Sequence, residues 1–417
     1  DVFFRRVPDG GGFAIAAGLE QLIDYIENLH FSPEDIAYLR GRNLFSEEFL
    51  SYLEDFHFTG DIYAMPEGTP VFPKEPLVVV RAPAIEAQLI ETFTLLTINH
   101  QSLIATKANR IQRAARGRTV LEFGSRRAQG ADAAIVGARA AYIGGVAGTA
   151  CTLSDEVYSV PAGGTMAHAW VQMFPSELEA FKTYCRLYPT NATLLVDTYN
   201  TLHSGIPNAI RAFDEVLKPL GITQCGIRLD SGDLAYLSKE AKKMLDAEGF
   251  TDAVISASND LDEGLISSLK NQGAAINSWG VGTNLITSKD CPSFGGVYKL
   301  AAIMDKKTGT FIPKIKLSEN EEKITNPGNK TTYRIYGKDS HKVIADIICL
   351  VGETFNEDEP LLLFDPIATW KKTLLAPGTY TMRELPVQVF KDGECIYHSP
   401  KVMDIQKYCK EELNTLW

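Results

Sequence analysis

The chain has 417 residues, of which 45% are hydrophobic and 22% are charged, and its formal net charge is −11 at pH 7. This composition is typical of globular proteins and excludes the collagen-like, coiled-coil and intrinsically disordered classes. An acidic chain lacks the positive field that drives non-specific binding to nucleic acids or anionic membranes. A polyanionic ligand must therefore be held by a few well-placed cations.

Neither a membrane span nor a disulfide scaffold is predicted. No uninterrupted apolar run approaches the roughly 20 residues that cross a bilayer. The seven cysteines are scattered and include no Cys-x-x-Cys pair, which argues against a disulfide framework and a thiolate zinc site. We therefore expect a soluble, cytoplasmic protein, whose length allows two or three domains at roughly 100 to 200 residues each.

The N-terminal part is predicted to hold helices, then short strands, then one long helix. Residues 13–53 have helical periodicity, and one helical face carries Leu19, Leu22, Ile23 and Ile26. The dipeptide Ser32-Pro33 begins a further helix, with serine as N-cap and proline at the first helical position. Prolines separate short strands over 60–83, and a long helix follows over 84–115.

Short apolar runs then alternate with helical patterns, which predicts βα units. The predicted strands cover 119–123, 192–196, 225–229, 253–257 and 276–281. Helical segments such as 233–248 and 260–272 separate them, so the sheet should be parallel. A (β/α) barrel is the leading architecture, with 297–304 as its last strand.

The α/β fold is predicted to have three sections along the chain. Residues 1–115 form the N-terminal part of a second α/β domain plus a long connecting helix. Residues 116–305 form an irregular (β/α) barrel that carries the active site. Residues 306–417 contain several strands and a C-terminal helix, and pack with the N-terminal part.

Each predicted barrel strand ends in a small, polar or charged cluster. The clusters are residues 124–127, 197–201, 230–233, 258–260 and 280–284. Ligands of βα barrels and open α/β sheets bind at the carboxyl ends of the strands. The same residue types also cap helices and form turns, so one cluster alone would carry little weight. Five clusters in register indicate one shared site.

Arginine and aspartate side chains in these clusters suit an anionic ligand. Arg126 and Arg127 can pair a carboxylate and a phosphate, because a guanidinium offers a planar fork; the alternative is a surface ion pair with a nearby acid. Arg228 and Asp230 point to the same side of a strand end, so a cation and a carboxylate can face one ligand. Asp230 suits a sugar diol or Mg²⁺, whereas Asp233 has the position of a first-turn helix residue.

Glycine turns and one histidine complete the candidate chemistry. The turns 280–283 and Ser204-Gly205 precede helices and can offer backbone N–H groups to phosphate, although neither matches a P-loop. His168 lies three residues after Thr165 in a glycine-rich loop and can be a base, a metal ligand or a covalent acceptor. No second histidine lies at metal-ligand spacing, so we expect no zinc site there. A lone histidine is otherwise more often structural.

Five strings in this order resemble the nicotinate phosphoribosyltransferase family. They are EFGSRRAQG (122–130), GTMAH (164–168), DTYNT (197–201), IRLDSGD (227–233) and GGVYKL (295–300). The resemblance implies a dimeric type II phosphoribosyltransferase with an irregular α/β barrel and a second α/β domain. Its reaction joins nicotinate to phosphoribosyl pyrophosphate, giving nicotinate mononucleotide and pyrophosphate for NAD biosynthesis. ATP hydrolysis is coupled to the reaction through a phosphohistidine.

The resemblance also implies a role for each motif. The catalytic residues would be His168, as the phosphorylated residue, with Asp197 and Asp230 near the ribose and its Mg²⁺, for which Asp230 is the candidate ligand. Nicotinate would contact Thr165 and Arg228, while Arg126 and Arg127 would bind its carboxylate or the diphosphate. Gly282 and Thr283 would contact the 5-phosphate. Further expected substrate-binding residues are Thr201, Ser204, Gly205, Ser231, Gly232, Asn259 and Lys299.

One motif of the family does not occur in this sequence. It is an N-terminal Asp-x-Tyr-x-x-Thr-Met segment, whose tyrosine reaches a neighbouring subunit's site and stacks on the pyridine ring. We expect the full-length protein to carry it, and we expect a homodimer whose sites are completed across the interface.

Three alternatives stay open at this point. A nicotinamide phosphoribosyltransferase shares the fold but takes a neutral base, and the 164–168 string favours nicotinate. A phosphosugar barrel enzyme, such as an aldolase, would use Lys299 as a Schiff base. A binding protein without turnover would keep only the pocket.

Overall fold

The computed structural model describes residues 1–320, 323–366 and 368–417. They divide into two compact units: a split unit made of Asp1–Leu103 and Ser293–Trp417, and a central unit made of Ile104–Pro292. In the described ranges, no helix is both long enough and apolar enough to cross a membrane.

The central unit contains a six-stranded parallel sheet. In spatial order its strands are Gly148–Thr149, Thr119–Glu122, Ser278–Val281, Val254–Ala257, Gly226–Leu229 and Thr193–Leu195. Every neighbouring pair runs parallel, so the five predicted strands and their direction are confirmed. The short strand Gly148–Thr149 is additional to the prediction.

Helices connect these strands, as the alternating pattern predicts. The helices are Glu91–Ala115, which begins in the split unit, Ala131–Ile143, Thr152–Tyr158, His168–Gln172, Glu177–Leu187, Ile206–Ala212, Leu234–Ala247, Glu263–Asn271 and Thr283–Ile286. Irregular turns cover Ser125–Arg127, Thr201–Gly205, Phe213–Leu217 and Lys218–Leu220. Asp233 is the N-cap of helix Leu234–Ala247, because its carboxylate accepts a hydrogen bond from the Tyr236 N–H at 2.9 Å.

The split unit brings strands from both ends of the chain into one antiparallel sheet. In spatial order they are Gly296–Tyr298, Val2–Phe4, Val78–Arg81, Asp61–Ala64, Val387–Lys391 and Glu394–Cys395. A second sheet contains Val343–Leu350, Lys330–Gly337 and Tyr380–Glu384. Two-stranded ribbons pair Ala14–Ile15 with Pro70–Val71, Ala302–Met304 with Phe311–Pro313, and Leu361–Phe364 with Lys372–Leu375. The helices are Leu19–Asn28, Pro33–Gly41, Glu47–Glu54, Ala84–Leu89 and Val402–Thr415.

Local sequence signals in the split unit are confirmed. The predicted apolar face of the first helix is buried in the core, with Leu19, Leu22, Ile23 and Ile26 at most 6% exposed. Ser32 accepts a hydrogen bond from the Asp35 N–H at 3.2 Å, and the Asp35 carboxylate accepts one from the Ser32 N–H at 2.9 Å. Such a capping box stabilises a helix start by about 1 kcal/mol.

The prediction for residues 297–304 was wrong in its sheet assignment. Gly296–Tyr298 pairs antiparallel with Val2–Phe4, and Ala302–Met304 pairs with Phe311–Pro313, so neither strand joins the parallel sheet. An apolar β-branched run indicates a strand, but its partner depends on distant segments of the chain.

Candidate functional site

Arg228 is the centre of a polar cluster at the carboxyl end of strand Gly226–Leu229. Its Nε donates to the Ser258 Oγ at 2.7 Å, its Nη1 to the Thr165 Oγ1 at 2.9 Å and its Nη2 to the Asp230 Oδ1 at 2.9 Å. The side chain is 18% exposed. These bonds hold the guanidinium in one orientation.

Asp230 is a partly exposed carboxylate whose surroundings favour the charged form. Partial burial raises its pKa, but a hydrogen bond from the Ser258 hydroxyl and the positive charge of Arg228 lower it more. The net pKa of Asp230 therefore lies below its ordinary value, and the group is ionised at neutral pH. One of its oxygens, Oδ2, lies 3.7 Å from the Nε2 of His168.

Asp197, which follows strand Thr193–Leu195, contacts the end of the neighbouring strand Gly226–Leu229 through one of its two carboxylate oxygens. Its Oδ2 accepts hydrogen bonds from the Asp230 N–H at 2.9 Å and from the Ser231 hydroxyl at 2.7 Å. The side chain is only 1% exposed, and its Oδ1 has no hydrogen-bond partner among the described residues. A buried acceptor without a partner is uncommon and calls for a ligand or an ion.

His168 faces both carboxylates. Its Nε2 lies 3.8 Å from the Asp197 Oδ1, and its Nδ1 is 3.0 Å from the Thr198 Oγ1, which fixes the ring. The side chain is 40% exposed, so the imidazole is accessible from solvent. An oriented imidazole flanked by carboxylates can act as a nucleophile toward a phosphoryl group, with the carboxylates stabilising the charged ring.

The two predicted phosphate turns differ in their surroundings. The Ser204 hydroxyl donates to the carboxylate of Glu177, a residue that is 5% exposed, and Asn208 donates to the same oxygen at 3.0 Å. Gly205 is required by packing, because a Cβ there would overlap the carbonyl oxygen of Val196. The Ser204 hydroxyl hydrogen is therefore engaged by a carboxylate of this protein. Thr201 begins this irregular turn.

The turn at Gly282 has no such carboxylate contact among the described residues. Gly282 precedes the one-turn helix Thr283–Ile286, and Thr283 is half-buried. An added Cβ at Gly282 would lie 3.2 Å from the carbonyl oxygen of Phe123, so the turn packs closely against the end of the neighbouring strand.

The remaining predicted residues fall into three groups. Arg126 and Arg127 are exposed in the turn Ser125–Arg127, and no ion pair of either is found within the described residues. Gly232 and Asn259 have positive φ values of 79° and 91° in loops that follow their strands. Lys299 belongs to the split unit, where its ammonium donates to the carbonyl oxygen of Tyr298 at 2.8 Å.

Three residues in or beside the cluster were given no individual role in the sequence analysis, although Ser258 and Thr198 lie within two of its strand-end clusters. Ser258 bridges Arg228 and Asp230, and Thr198 orients His168. Strand register holds a signal for Ser258, since Ala257 is paired with Leu229 and the next residues on both strands become neighbours. The Phe123 ring centroid lies 5.6 Å from the Arg228 guanidinium carbon, within cation–π range.

A cavity of about 480 Å³ extends from this cluster along one face of the parallel sheet. Phe123, Thr165, Arg228 and Gly280 line one part of it. The rest is lined by hydroxyl residues such as Thr119, Thr193, Ser256 and Ser278, together with the apolar side chains of Leu121 and Val254. Such a volume is in the range of small-molecule binding sites.

Comparisons with known proteins follow the same division of the chain. Residues 1–99 match the family model described as the nicotinate phosphoribosyltransferase N-terminal domain, and residues 329–417 match the corresponding C-terminal domain. The nicotinate phosphoribosyltransferase of Bacillus subtilis is 47% identical over 419 residues, which covers 100% of this chain and 84% of that protein. A human nicotinate phosphoribosyltransferase is 31% identical over 410 residues, covering 85% and 75% of the two chains.

Solved structures of related proteins have the same fold as this chain. The crystal structure of human nicotinic acid phosphoribosyltransferase superposes with a TM-score of 0.86 at 26% identity, over 100% of this chain and 89% of that one. A nicotinate-nucleotide pyrophosphorylase from Pyrococcus furiosus superposes with a TM-score of 0.72 at 22% identity, covering 100% and 88%, and this likeness concerns the fold alone.

Proposed function

Because the chain belongs to the nicotinate phosphoribosyltransferase family, we propose that it joins nicotinate to phosphoribosyl pyrophosphate, releasing nicotinate mononucleotide and pyrophosphate for NAD biosynthesis. The observation that carries this proposal is the contact of Arg228 with Thr165 and Asp230 beside the central cavity. This contact places the Arg228 cation where it can face the carboxylate of nicotinate. The neighbouring aspartates can stabilise the positive charge that develops on the ribose.

The reaction is a displacement at the anomeric carbon of the ribose. The pyridine nitrogen forms a bond to this carbon while the bond to the pyrophosphate oxygen breaks, and the electron pair leaves with pyrophosphate. Positive charge develops on the ribose ring and negative charge on the leaving group, so fixed opposite charges lower the barrier. Asp197 and Asp230 would stabilise the ribose, and Arg126 and Arg127 would stabilise the diphosphate.

The base would bind with its carboxylate at Arg228 and Thr165. The guanidinium is already oriented by Ser258 and Asp230, so binding costs little side-chain ordering. Nicotinamide lacks the negative charge, and we expect kcat/KM for nicotinate to exceed that for nicotinamide by at least about 100-fold. Comparable values for the two bases would point to the nicotinamide enzyme instead.

Mg²⁺ and ATP belong to the proposal as the resemblance implies them. The described residues contain no group of three or more acidic, histidine or cysteine side chains arranged to hold a metal ion. Mg²⁺ commonly uses one or two carboxylates together with substrate oxygens and water. The partner-free Oδ1 of Asp197 and the Oδ2 of Asp230 fit that role. When bound, the ion would neutralise charge on the leaving diphosphate.

His168 is the proposed acceptor of the ATP phosphoryl group. Its exposed imidazole and its contact with Thr198 support this role, because the ring is accessible and held in one orientation. Transfer would form a bond between a ring nitrogen and phosphorus while the bond to the ADP oxygen breaks. Water would later remove the phosphoryl group, and the energy released would favour nucleotide formation.

We further propose that the parallel sheet curves into the irregular barrel of the family. The strands Thr119–Glu122 and Thr193–Leu195 are separated by three others in the sheet, yet residues of both line the same cavity. That arrangement requires strong curvature. The seven free thiols fit a reducing compartment, which supports a cytoplasmic location.

The proposed homodimer is supported by an apolar ribbon in the split unit. Strands Ala302–Met304 and Phe311–Pro313 expose Ile303, Met304 and Ile312 to between 46% and 54%. Clustered exposed apolar residues are typical of protein interfaces. Light scattering should give about twice the chain mass, and a monomer at assay concentration would remove this part of the proposal.

The deciding experiment is an assay of nicotinate mononucleotide formation from nicotinate and phosphoribosyl pyrophosphate, with and without ATP and Mg²⁺. Mass spectrometry of the same samples would look for phosphate on His168. Product that rises with ATP, together with phosphate on His168, would support both the reaction and the coupling. Product without an ATP effect would keep the reaction and remove the coupling, and no product would remove both.

A further inference from the structure

Glu122, the last residue of strand Thr119–Glu122, is a fully buried carboxylate outside the cavity. Its neighbours Leu121 and Phe123 line the cavity, and alternation along the strand turns Glu122 to the opposite face. The residue is 0% exposed and has no basic side chain at ion-pair distance in the described part of the chain. Burial raises its pKa above the ordinary value. A buried acid without a cation lowers stability, so its presence calls for an explanation.

The two carboxylate oxygens hold two different loops. Oε1 accepts a hydrogen bond from the Gly124 N–H, where the turn that carries Arg126 and Arg127 begins. Oε2 accepts one from the Thr149 hydroxyl at 2.6 Å. Thr149 in turn holds the start of residues 163–168, here called the histidine loop, because its carbonyl oxygen accepts from the Gly163 N–H at 2.9 Å.

The arginine turn, which begins at Gly124 and carries Arg126 and Arg127, is closely packed. A Cβ on Gly124 would lie 2.6 Å from the carbonyl oxygen of Gly282 and equally close to the side chain of Ile286. The arginine turn is therefore packed against the Gly282 turn as well as bonded to Glu122. The Glu122 carboxylate therefore connects the arginine turn to the histidine loop, and the arginine turn packs against the Gly282 turn. All three carry residues of the proposed site.

We propose that Glu122 is a positioning residue, whose carboxylate sets the distance between the arginine turn and the loop that carries Thr165 and His168. This inference rests on the proposed function for its kinetic consequence, but its structural consequence is independent of any activity. A displacement of reacting groups by about 1 Å can lower a rate about 100-fold. We therefore expect kcat/KM to fall by about 100-fold when both hydrogen bonds are removed.

The test variant is Glu122→Leu, and the chain offers a matched control. Glu86 in the split unit is a buried glutamate that also accepts from a backbone N–H and a threonine hydroxyl, those of Thr59, at 2.7 and 2.8 Å. Glu86→Leu should therefore cost similar stability without touching the central site. Hydrogen exchange of peptides covering 124–127 and 163–168 should accelerate at least tenfold in Glu122→Leu and remain unchanged in Glu86→Leu. We expect kcat/KM to fall about 100-fold in the first variant only.

Two milder variants keep the proposal testable if Glu122→Leu does not fold. Glu122→Gln can still accept from the Gly124 N–H and donate to the Thr149 hydroxyl, so it should retain exchange rates and kcat/KM within about threefold. Thr149→Val removes one contact and should accelerate exchange at 163–168 more than at 124–127. Equal exchange in Glu122→Leu, Thr149→Val and the wild type would overturn the proposal. If the variants show altered exchange while the wild type catalyses no reaction, the positioning role is retained and the proposed reaction is contradicted.

Discussion

Two arginine–aspartate pairs in this molecule use the same chemistry for different ends. In the split unit, Arg334 and Asp346 form a bidentate pair at 2.9 and 2.6 Å, with side chains 0% and 5% exposed. In the central unit, Arg228 and Asp230 form a single contact at 2.9 Å, with side chains 18% and 31% exposed.

The difference lies in what surrounds each pair. The carbonyl oxygen of Pro70 and the carboxyl groups of Glu75 and Glu412 fill the space around Arg334. Hydroxyl groups, an exposed imidazole and a cavity surround Arg228. Loss of one partner from a sealed pair leaves a buried charge and destabilises the fold, whereas a pair that borders a cavity is available to a ligand.

Breaking the sealed pair should have the largest effect. Asp346→Asn leaves a buried guanidinium short of its counter-charge, so the free energy of unfolding should fall by about 3–5 kcal/mol. Urea unfolding measures it, with the exposed Asp392→Asn as control. The kcat/KM of the folded fraction should stay near the wild-type value. A small loss of stability would show that Glu75 or Glu412 compensates and would weaken the comparison.

Breaking the open pair should act on turnover instead. Asp230→Asn removes a charge that would stabilise the ribose, so kcat/KM for phosphoribosyl transfer should fall by about 10²–10³-fold. The melting temperature should change little. Asp233→Asn, the same change three residues later at a helix cap, should leave kinetics intact because asparagine also caps helices. A large fall in melting temperature with normal kinetics would mark Asp230 as structural.

His168→Asn should separate the coupling from the chemistry. The variant should lose the stimulation by ATP while it still binds nicotinate mononucleotide, because the imidazole is the proposed phosphoryl acceptor. Initial rates with and without ATP, and titration with the nucleotide, measure the two properties. His203→Asn, at another exposed histidine of the central unit, is the control. An unchanged ATP response would remove His168 from this role.

The smallest effect is expected from the acidity of Asp230. Its pKa is lowered in the folded protein, so its stabilising contribution is complete above the ordinary carboxyl pKa and is lost as pH falls through the folded-state value. The acid limb of kcat/KM should therefore lie below about pH 4. Ser258→Ala removes a hydrogen bond that lowers this pKa and should move the limb to higher pH. Ser267→Ala, on a helix, should leave the profile in place.

Local patterns in the sequence were sufficient for the parts of the fold that depend on short-range order. The parallel strands, the buried face of the first helix and the Ser32 cap are confirmed, because periodicity and capping chemistry act over a few residues. The partner of the strand at 296–298 was not predictable in this way. Its neighbour Val2–Phe4 is nearly 300 positions away, and β-branched composition carries no information on pairing.

The candidate site divides in the same manner. Arg228, Asp230 and Asp197 were identifiable because charged side chains at strand ends meet at one edge of a parallel sheet, and His168 because it lies in a glycine-rich loop. Ser258 and Thr198 are ordinary hydroxyl residues, and only strand register or a neighbouring ring gives them a role. Glu177 was hidden because the sequence does not reveal that its carboxylate lies beside Ser204.

The close approach of Gly205 to the Val196 carbonyl has a consequence for how this protein can evolve. Any side chain at position 205, even the methyl group of alanine, would have to displace the strand end beside Asp197. Gly163 and Gly164, by contrast, have open space where a Cβ would stand, although they precede Thr165 and His168. Variants selected in the laboratory for altered base preference should therefore accumulate in the histidine loop, while position 205 stays invariant.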